Sequence, residues 1–384
     1  MTPGPSHRLL LSLLAVASLV LVGCGADGGE LATPEREPEG PVGTDTTVEA
    51  DAGAGADAEE DLPLVVTTTS ILGDLVANVA GDQARVEVLM PAGVDPHGFQ
   101  PAASDAALLR QADLVVANGL GLEENLLDTI EAAEAEGVAV LHLAEHLDPI
   151  EFGGHADEDD DHGHDEDDDH GHDEDDDHGH DENDDHGHDE DDAADDEDGH
   201  DGHDHGPLDP HVWFDPVRMA DAVHVVADEL AALAEGDWET RAEVYADEIL
   251  EVHAEFEAGF AGLPDGSRRL VTNHDALGYL AARYDFEVIG TVVPGSSTQA
   301  EADARAFAEL VETIERAGVP AIFTENIETA ALAEQLASEI AGRGGPEIEV
   351  VSLYTDALGE PGSGAETYLD MLRENGRRIV DALG

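Results

Sequence analysis

Short apolar segments rich in β-branched residues alternate with amphipathic helical segments in two parts of this 384-residue chain. The spacing predicts strands at 64–69, 85–90, 114–117 and 138–143 in the first part, and at 269–272, 287–293, 321–324 and 348–354 in the second. Because strands that alternate with helices form parallel sheets, the pattern favours an α/β fold with two lobes, each built on a central and mostly parallel sheet.

The helices predicted between these strands have apolar residues three and four positions apart. They span 71–80, 104–111 and a stretch after Gly121 in the first part, then 276–284, 301–317, 329–341 and 366–383 in the second. Ser104 is predicted to be an N-cap, and Thr298-x-x-Glu301 has the pattern of a capping box.

Two further helices separate the two parts, one carrying Met219 to Leu233 and a longer one running from Trp238 to Phe260. A helix of that length can tie two domains together with little freedom to hinge. The chain is also long enough for two domains, and one core is not expected to hold it all. We therefore predict an N-terminal lobe at 62–236, a connecting helix at 237–263 and a C-terminal lobe at 264–384.

Residues 154–206 interrupt the first lobe with a repeat of period eight made of Asp, Glu, His and Gly. Blocks of like charge repel one another and are solvated, so we predict a disordered surface insertion. Acidic sequence of this kind is usually only solvating, but twelve of the 20 histidines lie here, which favours metal affinity. The hypothesis is a low-affinity collector or sensor that supplies a metal site elsewhere in the chain.

The formal charge of −76 excludes nucleic acid as a partner, since phosphate binding requires clustered Lys and Arg, and the chain has 15 Arg and no Lys. Many of the 91 acids also lie outside the insertion. Their mutual repulsion destabilises a compact state in dilute buffer and is screened at high ionic strength. We therefore predict a protein from a salt-rich habitat.

The N-terminus has the features of an export signal. Arg8 precedes an apolar run at 9–22 that is too short to span a bilayer and ends at Gly23-Cys24. This end resembles the lipobox of bacterial lipoproteins, which implies a signal peptide at 1–23, a diacylglyceryl group on Cys24 and a lipid anchor holding the protein outside the cytoplasm at the cell membrane. The alternative is an ordinary signal peptide with an incidental Cys. Residues 24–61, rich in Gly, Ala, Pro and acids, are predicted to be a disordered acidic tether.

Four polar residues that follow predicted strands are the candidate metal ligands: His97, His211, His274 and Asp356. Ligands of open α/β sheets bind beyond the carboxyl ends of the strands, which is where these side chains are expected. His97 and His211 each end an Asp-Pro-His sequence, in which the proline stiffens the turn. Two histidines presented in the same way indicate one site built from separated segments.

Four motifs in order carry a family resemblance. They are Asp95-Pro96-His97-Gly98-Phe99-Gln100-Pro101 with Ser104-Asp105, then Asp209-Pro210-His211-Val212-Trp213-Phe214-Asp215-Pro216, Thr272-Asn273-His274-Asp275-Ala276-Leu277-Gly278-Tyr279 and Tyr354-Thr355-Asp356-Ala357-Leu358-Gly359. They resemble the motifs of the zinc and manganese solute-binding proteins of ABC transporters, the cluster A-I or metal-binding lipoprotein family. The resemblance covers the chain from about Leu64 onward apart from the insertion, and implies two ligands from each lobe across a cleft, namely His97, His211, His274 and Asp356.

The resemblance further implies a monomeric binding component, not an enzyme, that delivers its ion to a membrane permease with a separate ATPase chain. Three imidazoles and one carboxylate suit tetrahedral Zn²⁺ as the bound ion. Manganese is the alternative, although some manganese binders of the family carry Glu where this chain has His274. A zinc-storage or adhesin lipoprotein and a zinc hydrolase are other possibilities, and a hydrolase would keep an open position for water.

Other polar residues lie close to the candidate ligands in the sequence or match no motif. Asp215 and Glu325 are candidates for orienting an imidazole, although Asp215 before Pro216 also forms a good helix start. Four histidines match no motif and are predicted to be ordinary surface or helix residues: His142, His146, His224 and His253.

Overall fold

The computed structural model describes residues 62–152, 208–295, 297–299, 304–327 and 329–384. The predicted signal peptide, the tether, Cys24 and the insertion at 154–206 all lie outside the described residues. No helix among those that are described combines the length and the apolar character needed to cross a membrane.

The described elements follow the predicted alternation. The first half contains β1 (Leu64–Thr69), α1 (Ser70–Ala80), β2 (Arg85–Met90), α2 (Ala103–Leu109), β3 (Leu114–Ala117), α3 (Leu127–Ala135) and β4 (Ala139–His142). Two helices come next, α4 (Pro216–Leu233) and α5 (Trp238–Ala261). The second half contains β5 (Arg269–Thr272), α6 (Gly278–Tyr284), β6 (Glu287–Thr291), α7 (Ala304–Ala317), β7 (Ala321–Glu325), α8 (Ala331–Gly342), β8 (Glu349–Leu353) and α9 (Tyr368–Leu383).

The strands form two parallel sheets with the same topology, β2-β1-β3-β4 in the first half and β6-β5-β7-β8 in the second. Parallel neighbours need a crossover connection, and the intervening helices supply it. Because the carboxyl ends of parallel strands point the same way, the loops that follow the strands gather along one edge of each sheet. The predicted α/β fold with two parallel sheets is confirmed.

Buried apolar side chains form three clusters among the described residues. One covers the outer face of the first sheet with α2 and α3, and another covers the outer face of the second sheet with α7 and α8. The third lies between the sheets and takes side chains from both halves, such as Val65 on β1 and Phe323 on β7. The two lobes therefore share a central core in addition to their own outer layers.

Helix α5 joins the two halves, as predicted. Its 24 residues give a length of about 36 Å at 1.5 Å per residue. It packs against α4 and α1 from the first half and against α9 from the second. Its buried residues recur three or four positions apart along one face: Trp238, Ala242, Tyr245, Ala246, Ile249, Val252, Phe256 and Phe260.

The start of α2 differs from the prediction, because Ser104 is not the N-cap. The helix begins at Ala103, and Ala102 has the extended backbone of a cap residue, with φ −88° and ψ 166°. The Asp105 carboxylate accepts a hydrogen bond from the Ala102 N–H at 2.7 Å and so closes the first turn. In the capping box predicted at Thr298, the partner Glu301 lies outside the described residues.

Three strands are shorter than predicted: β4, β6 and β8, the last covering Glu349–Leu353 instead of 348–354. At β4 and β6 buried apolar residues continue beyond the end of the strand. Strand β4 ends at His142, since Leu143 starts a 3-10 turn at Leu143–His146 although it is fully buried. Strand β6 ends at Thr291, and Val293 is buried in the loop that follows. An apolar pattern reports burial, so it extends past the point where strand pairing stops.

Candidate metal centre

The four candidate ligands come from loops at the carboxyl ends of strands in both sheets. His97 follows β2, His211 comes after β4 and the insertion, His274 lies two residues past β5, and Asp356 lies three residues past β8. None of the four side chains is more than 2% exposed. Burying this many polar groups is costly unless they are paired or bind an ion, so their convergence indicates a site.

The ligand atoms lie at metal-binding distances from one another. Each of the four residues offers one atom within 4.8 Å of the others. The Nε2 atoms of His211 and His274 are 3.1 Å apart, and the Asp356 carboxylate oxygens lie 3.6 Å from the first and 3.8 Å from the second. Tetrahedral zinc with bonds near 2.0–2.1 Å separates neighbouring ligand atoms by about 3.3 Å. The donor set and its spacing therefore fit a single divalent cation.

His97 and His211 are presented by the same backbone turn. In each Asp-Pro-His sequence the aspartate Oδ1 accepts a hydrogen bond from the histidine N–H two residues later, at 2.9 Å for both Asp95 and Asp209. An Asx turn of this kind, with proline at its centre, fixes the backbone of the histidine. The repeated tripeptide is thus the local cause of the geometry.

Two asparagines anchor these turns to the first lobe. Asn118, directly after β3, donates from Nδ2 to the Pro210 carbonyl at 2.9 Å. Asn125 donates from Nδ2 to the His97 carbonyl at 3.0 Å. The loops carrying the two histidines are therefore held by the segment that follows β3. The sequence analysis did not identify either asparagine.

A carboxylate lies beside Nδ1 of each histidine. Asp209 contacts His211 at 2.7 Å, Glu325 contacts His274, and Glu124 lies 3.5 Å from His97. A hydrogen-bonded partner, as at His211 and His274, fixes the tautomer, directs Nε2 toward the centre and makes the imidazole a stronger ligand, whereas Nδ1 of His97 has no hydrogen-bond partner among the described residues. Sequence reasoning proposed Glu325 for this role and missed the other two.

Asp215, the other residue considered for orienting an imidazole, has a different role. Its carboxylate accepts hydrogen bonds from Arg218 Nη1 and Arg283 Nη2, both at 2.7 Å. It also caps α4 by accepting from the Val217 N–H at 3.0 Å. Because Arg283 lies on α6, Asp215 links the two halves of the protein, as well as starting a helix as its position before Pro216 suggested.

Burial shapes the electrostatics of the centre. It lowers the pKa of His211 well below the ordinary value, and the neighbouring His274 lowers it further. The imidazole is therefore neutral and offers a lone pair. Burial also raises the pKa of Asp356, although His274 opposes this rise. Among the described residues, Asp356 Oδ1 and His97 Nε2 have no hydrogen-bond partner, so both atoms are available to a cation.

The remaining described histidines lie outside this group. His224 pairs with Glu239 at 3.1 Å, and His253 contacts the Tyr284 hydroxyl at 2.9 Å. His142 ends β4 and His146 ends the 3-10 turn that follows. None of them belongs to the four-residue cluster.

Contacts between the two halves enclose the centre. Trp213 Nε1 donates to the Thr355 carbonyl at 2.7 Å, and the Tyr279 hydroxyl donates to the Asp209 carbonyl at 2.8 Å. Each contact involves at least one residue that is one or two positions from a candidate ligand in the sequence. Fold and site together define a two-lobed α/β binding protein with a buried polar centre between its lobes.

Comparison with known proteins places the chain in a family. The model of the ZnuA family, described as "Zinc-uptake complex component A periplasmic", matches residues 65–382. The chain therefore belongs to the ZnuA family. As a member, it is an extracytoplasmic metal-binding component of an ABC importer and not an enzyme. The predicted role as the binding component of a metal importer is confirmed, and so is the prediction that the protein is not an enzyme.

The chain is similar to proteins named for different metals. It is 29% identical over 329 residues to the zinc-binding protein TroA of Treponema pallidum, covering 85% of this chain and 90% of TroA. It is 25% identical over 374 residues to the manganese-binding lipoprotein MntA of Halalkalibacterium halodurans, covering 97% of each chain. The solved structure of the periplasmic zinc-binding TroA matches with a TM-score of 0.65 and 28% identity, over 84% of this chain and 99% of that one.

Proposed function

We propose that the protein captures Zn²⁺ with His97, His211, His274 and Asp356 and delivers it to an ABC permease that works with a separate ATPase chain. The observation that supports this most is the convergence of four buried side chains from both lobes onto one point. The family assignment supports a role in metal uptake.

In this mechanism each lobe supplies two ligands. His97 and His211 hold the ion from the first lobe, and His274 and Asp356 complete the shell from the second. Neutral imidazoles bind through Nε2 because a carboxylate accepts or faces Nδ1 of each ring. The bound ion then links the lobes, and it is released when the lobes separate at the permease.

Zinc is favoured over manganese by the donor set. Three nitrogens and one carboxylate form a borderline-soft site, for which zinc ranks well above manganese in intrinsic affinity. Manganese prefers oxygen-rich shells of higher coordination number. It remains the second candidate because the similarity to manganese-binding MntA extends over 97% of the chain.

We also propose the site of lipid attachment, the domain boundaries and the oligomeric state. Cys24 is the site of lipid attachment, residues 62–236 and 264–384 are the two lobes, 237–263 is the connecting segment, and the protein acts as a monomer. The bounds of α5, Trp238–Ala261, support the position of the connecting segment.

Metal analysis of purified variants tests the proposal. The insertion is deleted (Δ155–206) so that its histidines do not contribute to the count. In this background we expect one zinc ion per chain after dialysis, and strong loss of binding in His97→Ala and His274→Ala. His224→Ala is the matched control, because His224 lies on α4 and pairs with Glu239. Full zinc binding by both cleft variants would overturn the ligand assignment.

Competition between the two metals tests the choice of ion. The deletion variant is dialysed against equal concentrations of Zn²⁺ and Mn²⁺, and the bound metals are then measured. We expect zinc to fill the site. Preferential retention of manganese would favour the second candidate.

A further inference from the structure

We propose that Asp95 couples contact between the lobes to the position of His97, so that its hydrogen bond with Thr298 controls how fast the metal leaves. This inference rests on the proposed function of the centre. It assigns a positioning role to two residues outside the set of four candidate ligands.

The two carboxylate oxygens of Asp95 contact different parts of the protein. Oδ1 accepts a hydrogen bond from the His97 N–H at 2.9 Å, which forms the turn that presents the imidazole. Oδ2 accepts a hydrogen bond from Thr298 Oγ1 at 2.7 Å and another from Gln299 Nε2 at 3.4 Å. Thr298 and Gln299 follow β6 in the second lobe. A single carboxylate thus joins a ligand turn of one lobe to a loop of the other.

The contact joins loops that occupy equivalent positions in the two lobes. Strands β2 and β6 occupy the same edge position in sheets of identical strand order. Asp95 lies in the loop after β2, and Thr298 lies in the loop after β6. The two lobes therefore meet here through equivalent loops. Separation of the lobes would break this contact and remove a support of the His97 turn in the same step.

The position of the contact favours a role in metal exchange. All four candidate ligands are at most 2% exposed, so an ion can leave only after part of the enclosure opens. The Trp213–Thr355 and Tyr279–Asp209 contacts are buried. The Asp95–Thr298 contact is only partly buried, because Asp95 is half-buried although Thr298 itself is buried, and the neighbouring Gln299 is exposed. Water competes best for hydrogen bonds at such a rim. Opening at Asp95 therefore requires less disruption than opening at the buried contacts.

Close packing supports the same interpretation. A Cβ added to Gly98, next to His97, would lie 2.8 Å from Gln299 Nε2 and 3.1 Å from Asp95 Oδ2. The Gln299 side chain of the second lobe thus lies directly against the ligand turn, and a larger residue at Gly98 would have to displace its amide.

The test measures the rate at which zinc leaves the protein in the Δ155–206 background, by stopped-flow mixing with an excess of a chromogenic chelator. Thr298→Val removes the donor hydroxyl with little change in shape. We expect zinc to dissociate roughly tenfold faster, as befits the loss of one hydrogen bond to a charged acceptor. Thr298→Ser keeps the hydroxyl and should restore the original rate.

Thr313→Val is the matched control, because the Thr313 hydroxyl donates to the Glu309 carbonyl within its own helix α7 at 2.9 Å, away from the contact between the lobes. It should leave the dissociation rate unchanged. In Asp95→Asn the side-chain carbonyl can still accept from the His97 N–H, so the turn is kept while the charged acceptor is lost. The Asn Nδ2 then takes the place of Oδ2 and can only donate a neutral hydrogen bond to Thr298 Oγ1, so adding Thr298→Val should speed zinc release less than it does in the parent.

The outcomes separate this inference from the proposed function. If the parent protein binds one zinc ion and Thr298→Val releases it at the parental rate, the role of Asp95 and Thr298 is wrong and the metal site stands. If the parent protein binds no zinc in the cleft, the proposed function itself fails. The melting temperature of each metal-free variant shows whether a faster rate reflects general unfolding instead of the lost contact.

Discussion

Replacing Asp356 by Asn should stabilise the metal-free protein and at the same time abolish metal binding in the cleft. The Asp356 carboxylate is fully buried, and its Oδ1 has no hydrogen-bond partner among the described residues. Burial raises its pKa, against the opposing effect of His274. An ionised carboxylate in this position is therefore a net cost to folding, which a bound cation would offset.

The sign of the effect follows from the direction of that pKa shift. An acid whose pKa is higher in the folded than in the unfolded state lowers stability above its unfolded pKa, near 3.9. The penalty grows as the pH rises toward the folded pKa and is then constant. Asn does not ionise, and its amide can donate to Nε2 of His211, which lies 3.6 Å from Oδ1.

The size of the effect is that of an unsatisfied buried acceptor, about 1–3 kcal/mol. For a folded region of this size it corresponds to a rise in Tm of roughly 2–6 °C. Zinc, in contrast, should no longer raise the Tm of the variant, because one proposed ligand and its charge are gone.

Thermal unfolding at pH 7 with and without zinc, in the Δ155–206 background, measures both effects. Asp228→Asn, at an exposed position on α4, is the control for loss of one negative charge. The reasoning is refuted if Asp356→Asn lowers the Tm of the metal-free protein, or if zinc stabilises the variant as much as the parent.

Three further perturbations probe other parts of the molecule. Burial raises the pKa of Asp215, but hydrogen bonds from Arg283 and Arg218 more than offset it and hold the pKa below the ordinary value. Asp215→Asn should therefore cost about 2 kcal/mol at pH 7 in urea unfolding, and the difference should shrink as the pH falls from about 3.9 toward the lower pKa of the folded state; a difference that stays constant over that range would contradict this. Because acids far outnumber the 15 Arg, raising NaCl from 0.1 M to 1 M should raise the Tm, and a flat response would contradict the predicted adaptation to salt. Deleting 155–206 should reduce the number of zinc ions bound per chain and impair uptake when zinc is scarce, whereas no change in either would exclude the collector role.

Much of the fold could be predicted because local patterns decide it. The strands Leu64–Thr69 and Arg85–Met90 have the predicted bounds, since β-branched residues there are flanked by turn residues. Helix α6 was predicted to start at Ala276 but starts at Gly278, because Ala276 and Leu277 are buried in a turn that precedes it. The core shared by both sheets could not be predicted, since it depends on how separate amphipathic faces pack in three dimensions.

The candidate site could be predicted in part because the same tripeptide presents two of its histidines. Asp-Pro-His occurs twice, and polar residues after strands of a parallel sheet share an edge. Glu124 gave no such signal, because it meets His97 only through the fold of the loop after β3. Arg283 likewise reaches Asp215 from a helix 68 positions away. Contacts of this kind depend on tertiary packing, and no motif or regular spacing of residues in the sequence indicates them.

The same buried groups that suit a cation also determine when the two lobes hold together. Closing the lobes removes three imidazoles and a carboxylate from water, and Asp356 Oδ1 and His97 Nε2 have no hydrogen-bond partner among the described residues, so closure without an ion costs free energy. In the proposed function a divalent cation offsets that cost by bonding to all four residues, and the Asp95–Thr298 contact at the rim adds to the closure. Closure and binding are thereby linked, because any force that separates Thr298 from Asp95 also withdraws support from the turn of His97. An importer can use this linkage to release the ion by pulling the lobes apart, without any chemical change at the ligands.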